Sequence, residues 1–119
     1  MFNKIQIGDT EVNMVAYAGC DIFFRMIFHE DPTRIQFSDK TDEAEAIYFF
    51  ERMAFVMNMC AEKSLEEMKK LNEDAFIEWM CKFDRLSLIN ALPDVRKTYE
   101  GQMVTTSEAK KNTDQPSEE

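Results

Sequence analysis

The longest apolar segment of the chain lies at its centre. From residue 47 to residue 61, only Glu51, Arg52 and Asn58 interrupt a run of apolar residues. The run is too long for one strand and shows no alternation, so it predicts a helix within residues 41–62. Because a helix that is apolar over most of its circumference avoids water, neighbouring elements or a partner must enclose it.

A β-hairpin is predicted ahead of this helix, at about residues 4–17. Apolar and polar residues alternate on both sides of Gly8 and Asp9, a pair suited to a tight turn. Because an isolated hairpin is only marginally stable in water, its apolar face should lie on the helices or pair with another chain. The second alternative favours self-association of the protein into a homo-oligomer.

Side chains that can cap helices predict where the other helices begin. Thr41 is placed to cap the central helix, and Ser64 begins a Ser-Leu-Glu-Glu capping box. Asn72 is placed to cap a helix over residues 73–83, and Asp84 to cap the segment that follows.

Two prolines mark further boundaries. Residues 21–29 carry apolar positions at helical spacing, and Pro32 is expected to close that helix before a connector over 33–40. Pro93 either kinks the last helix or starts a new one, since proline is tolerated in a first helical turn.

The predicted fold class is mainly α (α+β), a single small helical domain over residues 1–103 built around a central buried helix. From Thr105 the chain has no large apolar side chain, so residues 104–119 are predicted to be a disordered polar tail. The predicted core residues are Ile47, Phe50, Met53, Ala54, Met57, Phe76, Met80 and Phe83.

The charge balance excludes some partners. The chain carries 23 acidic and 14 basic residues, a formal net charge of −9. Such a surface repels nucleic-acid phosphates and anionic membranes, so neither is an expected partner. The first residues lack a signal-peptide core, and the central run is too short to span a bilayer. We therefore expect a soluble, intracellular protein.

No residue pattern predicts catalysis. His29 is the only histidine, and Cys20, Cys60 and Cys81 are far apart in the sequence, without a CxxC motif. A zinc site or a redox pair is therefore not predicted, and the thiols are interpreted as buried and free. The acidic residues at positions 42, 43 and 45 suit the first turn of a helix better than a calcium loop. We predict no enzyme, no metal and no cofactor.

Protein binding is the remaining class of function. Nine methionines are distributed through apolar positions, and methionine is common both in cores and on adaptable binding surfaces. Val95, Tyr99 and Met103 are spaced by four on the last predicted helix, and we predict that this stripe faces a partner.

Three segments resemble one known family. The segments occur in order across residues 4–100. The first is the hairpin followed by Ala18-Gly19-Cys20-Asp21-Ile22 and Arg25, and the second is Phe55-Val56-Met57-Asn58-Met59-Cys60-Ala61. The third is Phe76-Ile77-Glu78-Trp79-Met80-Cys81-Lys82-Phe83-Asp84, followed by Ile89-Asn90-Ala91-Leu92-Pro93. Together they are similar to the tail assembly chaperones of phages and prophages with long, non-contractile tails. The chain departs from that family in Phe28-His29-Glu30-Asp31-Pro32 and in Cys20, where threonine is common.

The resemblance implies a non-enzymatic chaperone in the cytoplasm of an infected or lysogenic bacterium, absent from the mature virion. Its expected partner is the tape-measure protein, with the tail-tube protein as a further candidate. It would keep the tape-measure protein soluble while the tail tube polymerises around it. Many such proteins also have a longer form made by ribosomal frameshifting. The alternative is a small acidic adaptor or regulator that binds one folded partner.

Overall fold

Five helices and one antiparallel hairpin make up the part of the chain that the structure, a computed structural model, describes: residues 2–32 and 42–101. The elements are β1 (Phe2–Ile7), β2 (Thr10–Val15), α1 (Ala18–Phe28), α2 (Glu43–Glu62), α3 (Leu65–Met68), α4 (Glu73–Met80) and α5 (Arg85–Gly101). The predicted fold class is confirmed. The predictions for the connector over 33–40, for Met103 and for the tail over 104–119 lie outside the described residues.

The hairpin places one apolar face on the helices. Ile7 pairs with Thr10 across a two-residue turn, and Gly8 has φ 61°, a conformation that glycine adopts without strain. Both strands contact α5, and β2 also packs on α2. The first of the two predicted alternatives for the apolar face therefore holds within this chain. The side chains of that face are buried: Ile5, Ile7, Val12 and Met14.

Most of the predicted helix caps are present. Ser64 and Glu67 form a complete capping box, and the side chain of Asn72 accepts a hydrogen bond from the backbone N–H of Ala75 at 3.1 Å. Asp84 Oδ2 accepts from the N–H of Ser87 at 3.0 Å. The predicted cap of the central helix was wrong by one residue, because Asp42 occupies that position.

Two helix boundaries differ from the prediction, and one of the two alternatives for Pro93 is excluded. α1 begins at Ala18 rather than residue 21, although its N-cap residue Tyr17 supplies no side-chain hydrogen bond. α4 ends at Met80 rather than residue 83, because the chain tightens there into turns of the i to i+3 type. Pro93 starts no new helix and lies inside a continuous α5, with its side chain exposed.

α2 is the centre of the core. Residues 49–58 are all buried, which for an α-helix means burial on every side. β2, α5, α1 and α4 provide the contacts. Of the predicted core residues, Phe50, Met53, Ala54, Met57 and Phe76 are buried, and Ile47, Met80 and Phe83 are partly buried against that core.

Aromatic rings connect the helices through the core. The Phe24 ring on α1 lies 5.3 Å from Phe49 on α2, and Phe49 lies 5.7 Å from Tyr99 on α5. Phe76 on α4 meets Phe28 edge to face at 5.2 Å. Such ring pairs stabilise a fold by about 0.5–1.5 kcal/mol beyond the apolar area that they bury. The continuous set of rings therefore fixes the four longer helices relative to one another.

Replacement of Phe76 by alanine is expected to lower the free energy of unfolding by about 3–5 kcal/mol, the usual cost of removing a buried phenylalanine. The neighbouring Ile77 is 57% exposed and provides the matched control. Ile77→Ala should change stability by less than about 1 kcal/mol. Chemical denaturation of both variants measures the difference, and equal losses would contradict this placement of α4.

Candidate interaction surface

The residues that chemistry singles out in the sequence do not assemble into a catalytic site. His29 is exposed at the C-terminal end of α1, in the left-handed conformation with φ 59°. Asp42, Glu43 and Glu45 are exposed at the start of α2, where Asp42 accepts a hydrogen bond from the N–H of Glu45 at 2.8 Å. Across the described ranges, no three His, Cys, Asp or Glu side chains are grouped so as to hold a metal ion.

The cysteines differ in their environments. All three thiols are free, but Cys20 is buried, Cys60 is half-buried and Cys81 is exposed. The interpretation of all three as buried was therefore wrong for Cys81. Cys20 Sγ and Cys60 Sγ lie 3.6 Å apart, although 40 positions separate them in the sequence. Their distance along the chain concealed this pair, because neither residue belongs to a local motif.

The predicted partner-facing stripe on the last helix is not a surface. Val95 and Tyr99 are each 0% exposed, so neither side chain can meet a partner, and Met103 lies outside the described residues. The Tyr99 hydroxyl donates a hydrogen bond to Asp21 Oδ1 at 2.8 Å, which joins α5 to α1. Burial raises the pKa of both Tyr99 and Asp21. Spacing by four is shared by core and interface stripes, and here it marks the core.

Arg52 is a buried cation held by aromatic rings. Its guanidinium carbon lies 4.1 Å from the ring centroid of Tyr48 and 4.9 Å from that of Phe24. Its Nη1 also pairs with Glu30 Oε2 at 3.1 Å. Ring faces and a carboxylate together compensate a buried guanidinium. Arg52 therefore fixes α1 against α2 and is not free to bind an anion.

Glu51 is the buried partner of an exposed arginine. Its Oε2 lies 3.0 Å from Arg85 Nη1, an ion pair without hydrogen-bond geometry. Burial raises the pKa of the Glu51 carboxyl above its ordinary value, and Arg85 partly offsets this effect. A perturbed carboxyl can mark an active site. Here it has a structural partner, and it joins α2 to the first turn of α5.

Asn58 satisfies polar groups from two neighbouring elements. Its amide nitrogen donates to the backbone carbonyl of Asn13 at 2.7 Å, and its oxygen accepts from the indole N–H of Trp79 at 2.9 Å. The amide thereby connects β2, α2 and α4. Asn58 is thus a buried contact between elements.

An apolar groove lies between α2 and α5. It encloses about 390 Å³, a size typical of the smaller ligand pockets in proteins. We call it the α2–α5 groove. Its lining residues are Glu43, Ala46, Ile47 and Phe50 on α2, and Ile89, Leu92, Pro93 and Arg96 on α5.

The charged residues of the groove have opposite signs. Glu43 is exposed near the start of α2, and Arg96 is exposed on α5, where its Nε donates to Glu100 Oε2 at 2.9 Å. The Arg96 guanidinium also lies 5.7 Å from the ring centroid of Phe50. The groove therefore offers an apolar floor between one carboxylate and one guanidinium, the chemistry that suits an amphipathic segment of another protein.

A second apolar surface lies on α1. Ile22 is 50% exposed and Met26 is 48% exposed, and their spacing by four places them on one face of the helix. α1 buries its other apolar side against α2. The α2–α5 groove, whose lining comes from two helices, is the better candidate site.

No described helix combines the length and the apolar character needed to cross a membrane. Comparison of the chain with family models, with curated proteins and with solved structures found no match.

The raised pKa of Glu51 predicts a pH dependence of stability. A carboxyl with a higher pKa in the folded state binds its proton more tightly after folding, so its contribution to stability declines as pH rises above the ordinary value of 4.5. Glu51→Gln removes this titration. The stability of the native protein minus that of Glu51→Gln should therefore fall from about pH 4 to about pH 7. Urea denaturation across that range measures it, and a difference that rises with pH would contradict the sign.

Proposed function

We propose that this protein is a tail assembly chaperone of a phage or prophage with a long, non-contractile tail. It binds the tape-measure protein in the cytoplasm of the bacterial host, keeps it soluble and assists polymerisation of the tail tube around it. It leaves before the virion is complete. The identity of the proposed partner, the tape-measure protein, rests on the sequence resemblance. The α2–α5 groove is the structural observation that supports it.

The groove suits one apolar segment at a time. Phe50 and Leu92 are mostly buried at its floor, at 9% and 8% exposure, while Ile47 and Ile89 are partly exposed. A preformed groove between two helices is a common site for the apolar face of an amphipathic helix. A tape-measure protein is a long helix whose apolar surface is open until the tube encloses it. Many such grooves, one on each chaperone, would therefore cover it.

The charge of the chain supports the same proposal. With a net charge of −9, chaperones bound side by side along one helix repel unrelated anionic surfaces and resist aggregation. Exposed apolar residues outside the groove, such as Ile22 and Met26 on α1, add surface for contacts with a neighbouring molecule.

Co-expression with the tape-measure protein that a neighbouring gene encodes is expected to increase the soluble yield of that protein. Because a chaperone that coats a long helix binds at many sites, light scattering of the purified complex should give several chaperones for each tape-measure chain. One-to-one binding would instead support the adaptor alternative. An unchanged soluble yield would contradict chaperone activity.

Ile89→Glu tests the groove itself. A carboxylate in the apolar lining removes burial of about 1.5–3 kcal/mol and adds a desolvation cost, so binding of the tape-measure protein should weaken by at least about tenfold. The control is Leu86→Glu on the same helix, where the side chain is 67% exposed and does not line the groove. Titration calorimetry measures both affinities, and circular dichroism verifies that both variants fold. Equal affinities would exclude the groove as the binding site.

A further inference from the structure

Cys20 and Cys60 form a pair that the fold alone creates. Cys20 lies in the first turn of α1, and Cys60 lies in the last turn of α2. Their sulfur atoms are 3.6 Å apart, in van der Waals contact, and a disulfide requires about 2.05 Å. A movement of less than about 2 Å, within reach of side-chain rotation, would therefore join them.

The two thiols are unequal, which assigns each a different part in such a reaction. Cys20 is 0% exposed, with its sulfur 3.3 Å from the backbone carbonyl oxygen of Val15, whereas Cys60 is half-buried and open to a small reagent. The hydrogen bonds from Cys20 and Tyr17 lower the pKa of Cys60. The hydrogen bond with Cys60, together with burial, raises the pKa of Cys20. Cys60 is thus the more accessible and the more acidic thiol.

The Tyr17 hydroxyl favours the thiolate form of Cys60. Partial desolvation, together with the neighbouring Cys60 and Cys20 thiols, raises the pKa of Tyr17 to about 12. The hydroxyl therefore keeps its proton near neutral pH and can donate it toward the sulfur. A hydrogen-bonded, half-buried thiolate beside a second thiol is the usual arrangement of a reactive dithiol.

We propose that Cys20 and Cys60 are a dithiol site that reacts with low-molecular-weight disulfides to form an intramolecular disulfide. The Cys60 thiolate attacks one sulfur of the small disulfide, forms a mixed disulfide and releases one small thiolate, which takes up a proton. Cys20 then loses its proton and attacks Cys60 Sγ, and the second small thiolate leaves with that proton. The protein is oxidised by two electrons, and one small disulfide is reduced to two thiols.

The new bond would connect α1 to the end of α2. These helices already pack together through Phe24 and Phe49, so the cross-link preserves an existing contact. Because a disulfide restricts the unfolded chain, the oxidised protein should be the more heat-resistant form. The site lies at the opposite end of α2 from the α2–α5 groove, so this inference does not depend on the proposed function.

The test is oxidation of the full chain with oxidised glutathione, followed by blocking of free thiols, trypsin digestion and mass spectrometry. Cleavage after lysine and arginine places Cys20, Cys60 and Cys81 in separate peptides, 5–25, 53–63 and 71–82. The expected product links peptides 5–25 and 53–63, leaves peptide 71–82 with a blocked thiol or bound glutathione, and disappears on reduction with dithiothreitol.

Two variants complete the test. Cys81→Ser should form the same linked peptides. Cys60→Ser should form none, and its Cys20 should carry no glutathione, because the buried thiol is not accessible to oxidised glutathione. Since the wild-type digest alone identifies the link, a variant that fails to fold does not affect the result. Glutathione retained on Cys60 without a link, or disulfides only between molecules, would overturn the proposal.

Discussion

The burial of α2 on every side is the constraint on which the rest of the structure depends. Ten consecutive residues, 49–58, are buried, and three of them carry polar groups that must find partners. Glu51 pairs with Arg85, Arg52 with Glu30 and the aromatic rings, and Asn58 with Trp79. The partners come from different elements around the helix. A shifted or rotated α2 would leave a buried charge or amide unpaired, so these contacts select one arrangement.

The groove exists because the fully buried segment of α2 begins only at residue 49 and does not include the first turns of the helix. Ala46 and Ile47 precede the fully buried segment and are only partly covered, while α5 passes beside them with Ile89 and Leu92. An element that covered these residues would remove the groove and complete the core. Its apolar lining is therefore surface that the core elements of the described chain leave open, and a helix from another protein can cover it with the same packing.

Local patterns predicted the elements well, because caps and periodicity are local. Ser64 and Asn72 begin helices as their side chains require, and Gly8 turns the hairpin. The groove and the Cys20–Cys60 contact depend on which helices become neighbours, and a single sequence contains little information on that. The error at Tyr99 has the same cause: its spacing is correct for an apolar face, but only the tertiary structure decides whether that face is inside.

α2 also separates the two candidate sites. The groove uses its first two turns up to Phe50, and the dithiol uses Cys60, about 15 Å further along the helix at 1.5 Å per residue. The core between them is densely packed with aromatic rings and paired charges, so a change of bonding at Cys60 does not directly displace Ile47 or Phe50. Oxidation would instead act on the contact between the start of α1 and the end of α2. An effect of oxidation on partner binding would therefore point to the exposed face of α1, with Ile22 and Met26, as part of the binding surface.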